Sequence, residues 1–530
     1  MKITSTGHAG LFVETRAGSV LCDPWRNPAY FASWFVFPDN WDVDFSSLRP
    51  DYLYVSHLHR DHFDAALLRD AIPKTTTVLL PDYPTADLRE ALEALGFSKF
   101  VETRCNVPVE LDGLRIMLDT MSSPADGPLG DSALALDDGE HRILNQNDSR
   151  PRDLQPLRDF GHFDAHFLQF SGAIWWPVVY DLAEATKSAL GKRKRENGMA
   201  RAMRFVEEIG ASHVFPNSGP AAFLDDDLFA FNDLDGSDDN PFPDQQVFID
   251  YLAANGHGNA RLLIPGSSAA LEGTRCTIEH PIPDDEVGRI FTDKRDYLSA
   301  YASRQRARIE EEKASLPRYG GDLVEALADW FEPLLALADR IGPGVGGPIQ
   351  LDVGDEQIIV DFTERQVRRR TDEECRYAFT IDRPLVEALV AEHQIDWVNS
   401  LFLSLRFRAW RRGQYNEHIY TFFKCLAPDR LSYAEGWYAE QEPVEYVQIG
   451  DYMVQRRCPH LKADLTRFGE LHGTVLKCCM HGWQFDLSTG NCLTSDAHRI
   501  DCHPIAGSGG SAGSAGSAGD EVDAAEERVG

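Results

Sequence analysis

The chain is short of positive charge and has no long apolar run. Lys and Arg total 52 against 84 Asp and Glu, a formal net charge of −32 over 530 residues. A field of that sign repels polyanions, which excludes DNA, RNA or an anionic membrane surface as the dominant partner. A small anionic substrate responds to local charge and is not excluded. A membrane-spanning helix needs about 20 mostly apolar residues; the most apolar stretch, AIWWPVV at 173–179, falls far short of that. The opening MKITSTGHAG lacks the charged and apolar regions of a secretory signal. The expected setting is cytoplasmic and reducing. Of the ten cysteines, Cys458, Cys478, Cys479, Cys492 and Cys502 crowd one region, and in a reducing setting such a cluster is expected to bind metal rather than form disulfides.

What is present reads as about three domains, since one core does not grow to this length. Residues 1–285 alternate strand-like segments (3–6, 11–14, 19–22, 52–56, 78–80, 115–118, 143–144) with helix-like ones such as 64–71. That alternation predicts α/β layers. Residues 286–431 predict an α+β region: helix over 286–345, strands over 349–362, then helices over 383–392 and 395–420. Gly342-Pro343-Gly344 breaks the first of these helices. Residues 432–505 predict a small, strand-rich domain. The tail 506–530, rich in Gly, Ser and Ala with an acidic end, is expected to be disordered.

Two Cys/His pairs stand in the strand-rich part, Cys458-Pro459-His460 and Cys478-Cys479-Met480-His481. Pairs on two loops can clamp a 2Fe–2S cluster, thiolates on one iron and imidazoles on the other. The same ligand types also suit zinc. The spacing and the following run His481-Gly482-Trp483-Gln484-Phe485-Asp486, then Thr489-Gly490, resemble the Rieske family. That resemblance implies a 2Fe–2S cluster on Cys458, His460, Cys478 and His481. High-potential members carry a loop-bridging disulfide and hydroxyls that donate to the sulfurs. Here Ala463 takes the place of the extra cysteine, and Trp483 and Phe485 that of the hydroxyls. Fewer hydrogen bonds to sulfur imply a lower potential.

A second cluster follows the 52–56 strand: His57-Leu58-His59-Arg60-Asp61-His62. A loop at a strand end can aim His57 and His59 at one metal and Asp61 and His62 at a neighbouring position. Imidazole suits zinc or iron, and a carboxylate adds charge for a hard cation. The run resembles the metallo-β-lactamase fold, which implies an αββα sandwich over 1–285. Ile143-Leu144-Asn145-Gln146-Asn147-Asp148 resembles that fold's strand ending in a metal-bridging Asp, so Asp148 joins the candidate ligands, with His8 evenly balanced between site and structure. The further histidines usual in the fold are missing from 119–131, where Ser122 and Ser123 stand, and from 215–227. A single iron on two or three His and one carboxylate fits what remains, with positions open for dioxygen. His162 and His166 are read as structural.

The pairing of these two motifs resembles the CMP-N-acetylneuraminic acid hydroxylase family, as do Asp23-Pro24-Trp25, the stretch 28–34 and the region 395–422. In that family the Rieske domain comes first; here it comes last. The resemblance implies a cytoplasmic oxidoreductase, a monooxygenase. Its cluster, fed by a reductase, ferredoxin or cytochrome, passes electrons to iron rather than zinc in the lactamase-like domain. The two domains are expected to dock, within a subunit or between subunits. The substrate is a small molecule, anionic and nucleotide-sugar-like by resemblance. Lys192-Arg193-Lys194-Arg195 is read as a solvated helix face, while Arg406, Arg408, Arg411 and Arg412 around Trp410 are read as a candidate anion contact. Two other functions stay open: a lactonase-like metal-dependent hydrolase with an accessory cluster, and a non-enzymatic electron carrier or redox sensor.

Overall fold

Alternation within single strands builds the N-terminal layers. In Gly18–Cys22, Val20 and Cys22 enter one core while Leu21 enters another on the opposite face. In Tyr52–Tyr54, Tyr52 and Tyr54 join the first core and Leu53 the second. Such period-two placement with both faces apolar marks a sheet covered on both sides. The computed structural model describes the chain apart from residues 124–126, 173, 440–443, 460–462, 481, 496–497 and 506–530. The tail expected to be disordered therefore lies outside the described residues.

An eight-stranded sheet runs in the order Arg275–Glu279, Ser268–Glu272, Lys2–Gly7, Gly10–Thr15, Gly18–Cys22, Tyr52–Tyr54, Thr77–Leu80, Phe100–Glu102. The last four of these strands are parallel neighbours. A six-stranded sheet, His213–Asn217, Ala165–Gln169, Arg142–Asn147, Gly127–Asp137, Leu114–Ser123, Val109–Leu111, faces it across one core. Helices Ala65–Ala71 and Asp87–Ala94 cover the first sheet's outer face, and Glu184–Ile209 and Gln245–Ala254 cover the second's. The result is the αββα sandwich of metallo-β-lactamase type.

Helices Asp284–Thr292 and Lys294–Ala314 also pack on this domain, where Leu298, Tyr301 and Ile309 share a core with Phe35, Phe37 and Leu224. The sandwich thus keeps its own helices beyond residue 285. The α+β region is a five-stranded sheet, Gln366–Arg369, Glu356–Asp361, Pro348–Val353, Tyr377–Ile381, Phe407–Arg411, covered by helices that include Leu323–Leu337 and Arg383–Ala391. The helix expected across 395–420 is not formed as one piece. Leu405 takes a left-handed turn (φ 59°), and Phe407–Arg411 then alternates buried Phe407 and Ala409 with exposed Arg408 and Trp410 as an edge strand. Strand periodicity there outweighs the helical pattern. Similarly, residue 432 falls inside the helix Pro428–Ala439, so the strand-rich domain starts later, at Tyr446–Ile449. Among the described residues, no helix is long and apolar enough to cross a membrane.

The strand-rich domain comprises a three-stranded and a four-stranded antiparallel sheet. It docks on the sandwich within the same chain. Met199, Ala202, Phe205 and Val206 from the helix Glu184–Ile209 share a core with Cys458, Phe468, Cys478 and Met480, and Phe205 meets Phe468 at 5.2 Å between ring centroids.

Candidate metal and cluster sites

Parallel strands present their C-terminal ends to a common rim, which is where sites form in open α/β sheets. The loop after Tyr52–Tyr54 carries the His/Asp run there. Ser56 and Asp23 hold it from behind. The Asp23 carboxylate accepts from Ser56 N (2.7 Å) and Ser56 Oγ (2.7 Å) and lies 3.1 Å from His62 Nδ1. Ser56 Oγ also sits 2.9 Å from His57 Nδ1. With both Nδ1 atoms occupied, the Nε2 atoms of His57 and His62 point into the site. Asp64 anchors the loop's far end, capping the next helix at Leu67 N (3.0 Å) and accepting from Asn27 N (2.8 Å).

The ligand-type atoms fall into two adjoining groups linked by Asp148. His57, His59 and Asp131 form one; His8, Asp61 and His62 form the other; and Asp148 groups with His57 and His62. Within each group the atoms lie within 4.8 Å of one another. His57 Nε2 is 2.7 Å from His59 Nδ1 and 3.4 Å from Asp131 Oδ1. His8 Nε2 is 3.0 Å from Asp61 Oδ2, and Tyr30 donates to Asp61 Oδ1 at 2.6 Å. His62 Nε2 is 3.5 Å from Asp148 Oδ2. The buried atoms His62 Nε2 and Asp148 Oδ1 find no hydrogen-bond partner among the described residues. Buried polar atoms are rarely left so, and imidazole and carboxylate atoms gathered this closely fit cations.

Sequence reasoning missed Asp131 and Asp23 and left His8 undecided. Asp131 stands beside His57 in the stretch where a histidine was sought. The only local signal near it is Gly130, where φ is +55° and a Cβ would meet Met121 O at 2.2 Å. His8 and Asp23 hold left-handed backbones (φ 53° and 39°), as does Asn147 (φ 42°), whose side chain accepts from Asp148 N at 2.6 Å. Left-handed non-glycine residues cost energy and gather at functional sites. His166 is buried against Gln146 Oε1 (2.8 Å), and His162 faces Ser212, so neither joins the site.

The field is mixed. Burial, then the imidazoles of His62 and His59, push the His57 pKa well below the ordinary value. Burial also opposes charge on His62, but Asp148, Asp61 and Asp23 outweigh it and hold that pKa high. Burial disfavours the Asp61 carboxylate, and His62 and His8 reverse this and hold its pKa low. This arrangement of fixed imidazoles and carboxylates is suited to divalent or trivalent metal rather than to a neutral core.

In the strand-rich domain Cys458 is buried in a loop and Cys478 is buried at the end of the strand Val475–Cys478. Cys458 N donates to Ala463 O (2.8 Å), and Gly482 N donates to Cys478 O (2.8 Å) with Gly482 at φ 77°. His460 and His481 lie outside the described residues. The sandwich grips these loops: Arg201 Nη1 donates to Met480 O (2.8 Å), Lys477 Nζ to Asn197 Oδ1 (2.7 Å), and Arg457 Nη1 to Arg152 O (3.4 Å). A cavity of about 350 Å³ runs between the parts, lined by His59, Asp61, Asp131 and Asp148 on one side and by Gly482, Trp483 and Gln484 on another. Of the arginines near Trp410, Arg406 is tied to Asp225 (2.5 Å) and Arg408 and Arg412 are exposed. Only Arg411, over the Trp176 ring at 4.4 Å, reaches the cavity.

Comparison with known proteins gives these parts their names. Residues 446–504 match the Rieske [2Fe-2S] domain, and residues 323–440 match an Rv3818-like, SCP2-like domain. The strand-rich domain is therefore a Rieske domain, whose cofactor is a 2Fe–2S cluster, and the buried Cys458 and Cys478 fit that group. An Exiguobacterium metal-dependent hydrolase is 37% identical over 101 residues, 18% of this chain and 38% of its own. The solved structure of CmlA, a diiron β-hydroxylase from Streptomyces venezuelae, is 16% identical over 51% of this chain and 54% of its own, with a TM-score of 0.34. The Rieske 2Fe-2S iron–sulfur protein Rv3818 of Mycobacterium tuberculosis H37Rv is 48% identical over 512 residues, 94% of this chain and 99% of its own. At that identity and coverage, the chain belongs to the Rv3818-like family of Rieske 2Fe-2S iron–sulfur proteins.

Proposed function

We propose that the chain is a Rieske-fed, iron-dependent monooxygenase that hydroxylates a small anionic molecule. The observation that carries this reading is the single cavity shared by His59, Asp61, Asp131 and Asp148 and by Gly482, Trp483 and Gln484 of the Rieske domain. When bound, the 2Fe–2S cluster supplies single electrons and the sandwich iron supplies the dioxygen chemistry. In this reading Cys458, His460, Cys478 and His481 hold the cluster. His57, His59, Asp61, His62 and Asp148, with Asp131 and His8 added, hold the metal. Overall, a C–H bond and dioxygen give an alcohol and water, with two electrons entering from a reductase, ferredoxin or cytochrome and two protons from solvent.

The protein's own part is positional. Asp23 and Ser56 set the imidazole orientations, and Tyr30 fixes Asp61. The Arg201–Met480 contact holds one side of the cluster region against the helix Glu184–Ile209, and Arg457–Arg152 holds the other against the segment that follows Asp148. The cavity walls Trp175, Trp176 and Tyr420 limit water around the reacting group. The motif resemblance to CMP-N-acetylneuraminic acid hydroxylase supports oxygen insertion, while the reversed domain order sets this chain's substrate apart.

The test is metal analysis with EPR of the reduced protein and dioxygen uptake, for wild type, His59→Ala and Cys478→Ala. Iron in both sites is expected. His59→Ala is expected to keep the Rieske signal and lose uptake, and Cys478→Ala to lose both. Zinc alone in the sandwich with an intact Rieske signal sinks the proposal. A hydrolase is the second reading, favoured by the paired groups linked by Asp148, since two metals can also activate water. Ester or phosphodiester cleavage that does not depend on reduction would support it.

A further inference from the structure

The helix Glu184–Ile209 is strongly basic in its middle, and most of its cations have partners. Lys192 pairs with Asp238 (2.6 Å), Arg195 with Asp233 (2.7 Å), and Arg204 with Glu470. Two do not. Lys194 and Arg201, with Arg150 from the segment after Asp148, turn into the cavity, and none of the three has a carboxylate within ion-pair distance among the described residues. Arg150 has one long contact, Nη2 to Gln169 Oε1 at 3.4 Å, and Arg201 reaches the carbonyl of Met480. In a chain of net charge −32, three partly buried cations facing one another with no carboxylate at ion-pair distance among the described residues need an explanation.

We propose that Arg150, Lys194 and Arg201 form an oxyanion subsite that receives the phosphate or carboxylate of the cavity's ligand. The proposal rests on reading this cavity as the reaction chamber, and it names the substrate class. Guanidinium groups present planar forks to either oxyanion, and the lysine adds a point charge. Burial, then Arg201 and Arg150, push the Lys194 ammonium down to about 7, a repulsion that a bound anion relieves. The rest of the ligand meets aromatic surface, because Trp175, Trp176 and Tyr420 line the same space. A volume of about 350 Å³ suits a small molecule rather than a polymer. The ligand is thus a compact amphiphile, with its anionic end on the Rieske-facing helix and its body against the aromatic wall.

The alternative role for these cations is to balance the charge of a reduced cluster, since Arg201 touches its loop. Calorimetric titration of the holoprotein with inorganic phosphate and with succinate separates the two roles. Saturable binding of at least one anion is expected, and the tighter of the two assigns phosphate or carboxylate. Lys194→Gln should weaken it about tenfold or more, as loss of a charge-assisted contact does, while Lys192→Gln, on the same helix but paired outside the cavity, should change it less than about twofold. Phosphate held by a metal in the sandwich would survive Lys194→Gln, and that result overturns the proposal. Equal losses in both variants, or no saturable binding of either anion, also overturn it. If Lys194→Gln fails to keep the cluster's visible spectrum, Arg150→Gln takes its place with the same expected loss and the same refuting result. The readout needs no dioxygen, reductant or sandwich iron, so a zinc-only sandwich would refute the oxygenase and leave this subsite standing.

Discussion

Replacing Asp23 by Asn changes one atom of a buried carboxylate and should damage the metal site from behind. Asp23 accepts from Ser56 N and Oγ, both at 2.7 Å, and lies 3.1 Å from His62 Nδ1. An acceptor there requires the His62 proton on Nδ1 and leaves Nε2 free for a metal. The Asn amide has one oxygen and one NH₂. If the oxygen keeps Ser56 N, the NH₂ faces Ser56 Oγ and His62 Nδ1. Two donors cannot face each other, so the proton moves to Nε2, the atom that otherwise points at Asp61 (3.7 Å) and Asp148 (3.5 Å). Partners of this kind are worth roughly 10–100-fold in metal affinity, about 1.4–2.8 kcal/mol. The assay is iron and zinc affinity by competition with a chelator, with the Rieske visible spectrum as a control for folding. Asp23→Asn should lose affinity within that range and keep its cluster. Unchanged affinity with the cluster intact would refute the assignment of His62 Nε2 as a ligand atom.

Two further outcomes follow from packing and titration. Phe205 is 2% exposed and packs on Phe468 at the junction of sandwich and Rieske domain, so Phe205→Ala should cost roughly 3–5 kcal/mol, read as a lower thermal midpoint and faster proteolysis between the domains; a loss under about 1 kcal/mol would mean that the junction is not packed as described. Burial pushes the His166 pKa down to about 3, so below the unfolded value near 6.5 the unfolded chain binds a proton that the folded one refuses, and stability falls as pH drops between those values. At pH 5.5 this amounts to about 1.2 kcal/mol relative to pH 7, so His166→Asn should show a shallower loss than wild type in thermal unfolding at pH 7 and pH 5.5, and equal slopes would refute it.

Much of the sandwich was legible because its strands are short-range patterns. Val20, Leu21 and Cys22 divide between two cores, and the short apolar run that serves both faces is visible in the sequence. The helix expected over 395–420 failed because Phe407–Arg411 is an edge strand whose partner, Tyr377–Ile381, lies far away in sequence. The same contrast runs through the basic runs. Lys192 to Arg195 read as one solvated face, yet only the fold shows Lys192 and Arg195 paired and Lys194 turned into a cavity.

The sequence alone determined the chemistry types: a His/Asp run in one loop, two Cys/His pairs in another region, and an acidic balance that opposes a dominant polyanion partner. Ligands packed into a single loop are adjacent whatever the rest of the chain does, so spacing reveals them. Only the tertiary structure decided that Asp131, His8 and Asp23 gather around that loop, because each comes from a different strand or strand end and contact depends on how the two sheets face. It also decided that the Rieske domain docks on the helix Glu184–Ile209 of its own chain, sharing one cavity with the distant His/Asp site. Burial of Phe205, Phe468 and Met480 holds that junction, and hydrophobic contact between segments so far apart leaves no local pattern to read.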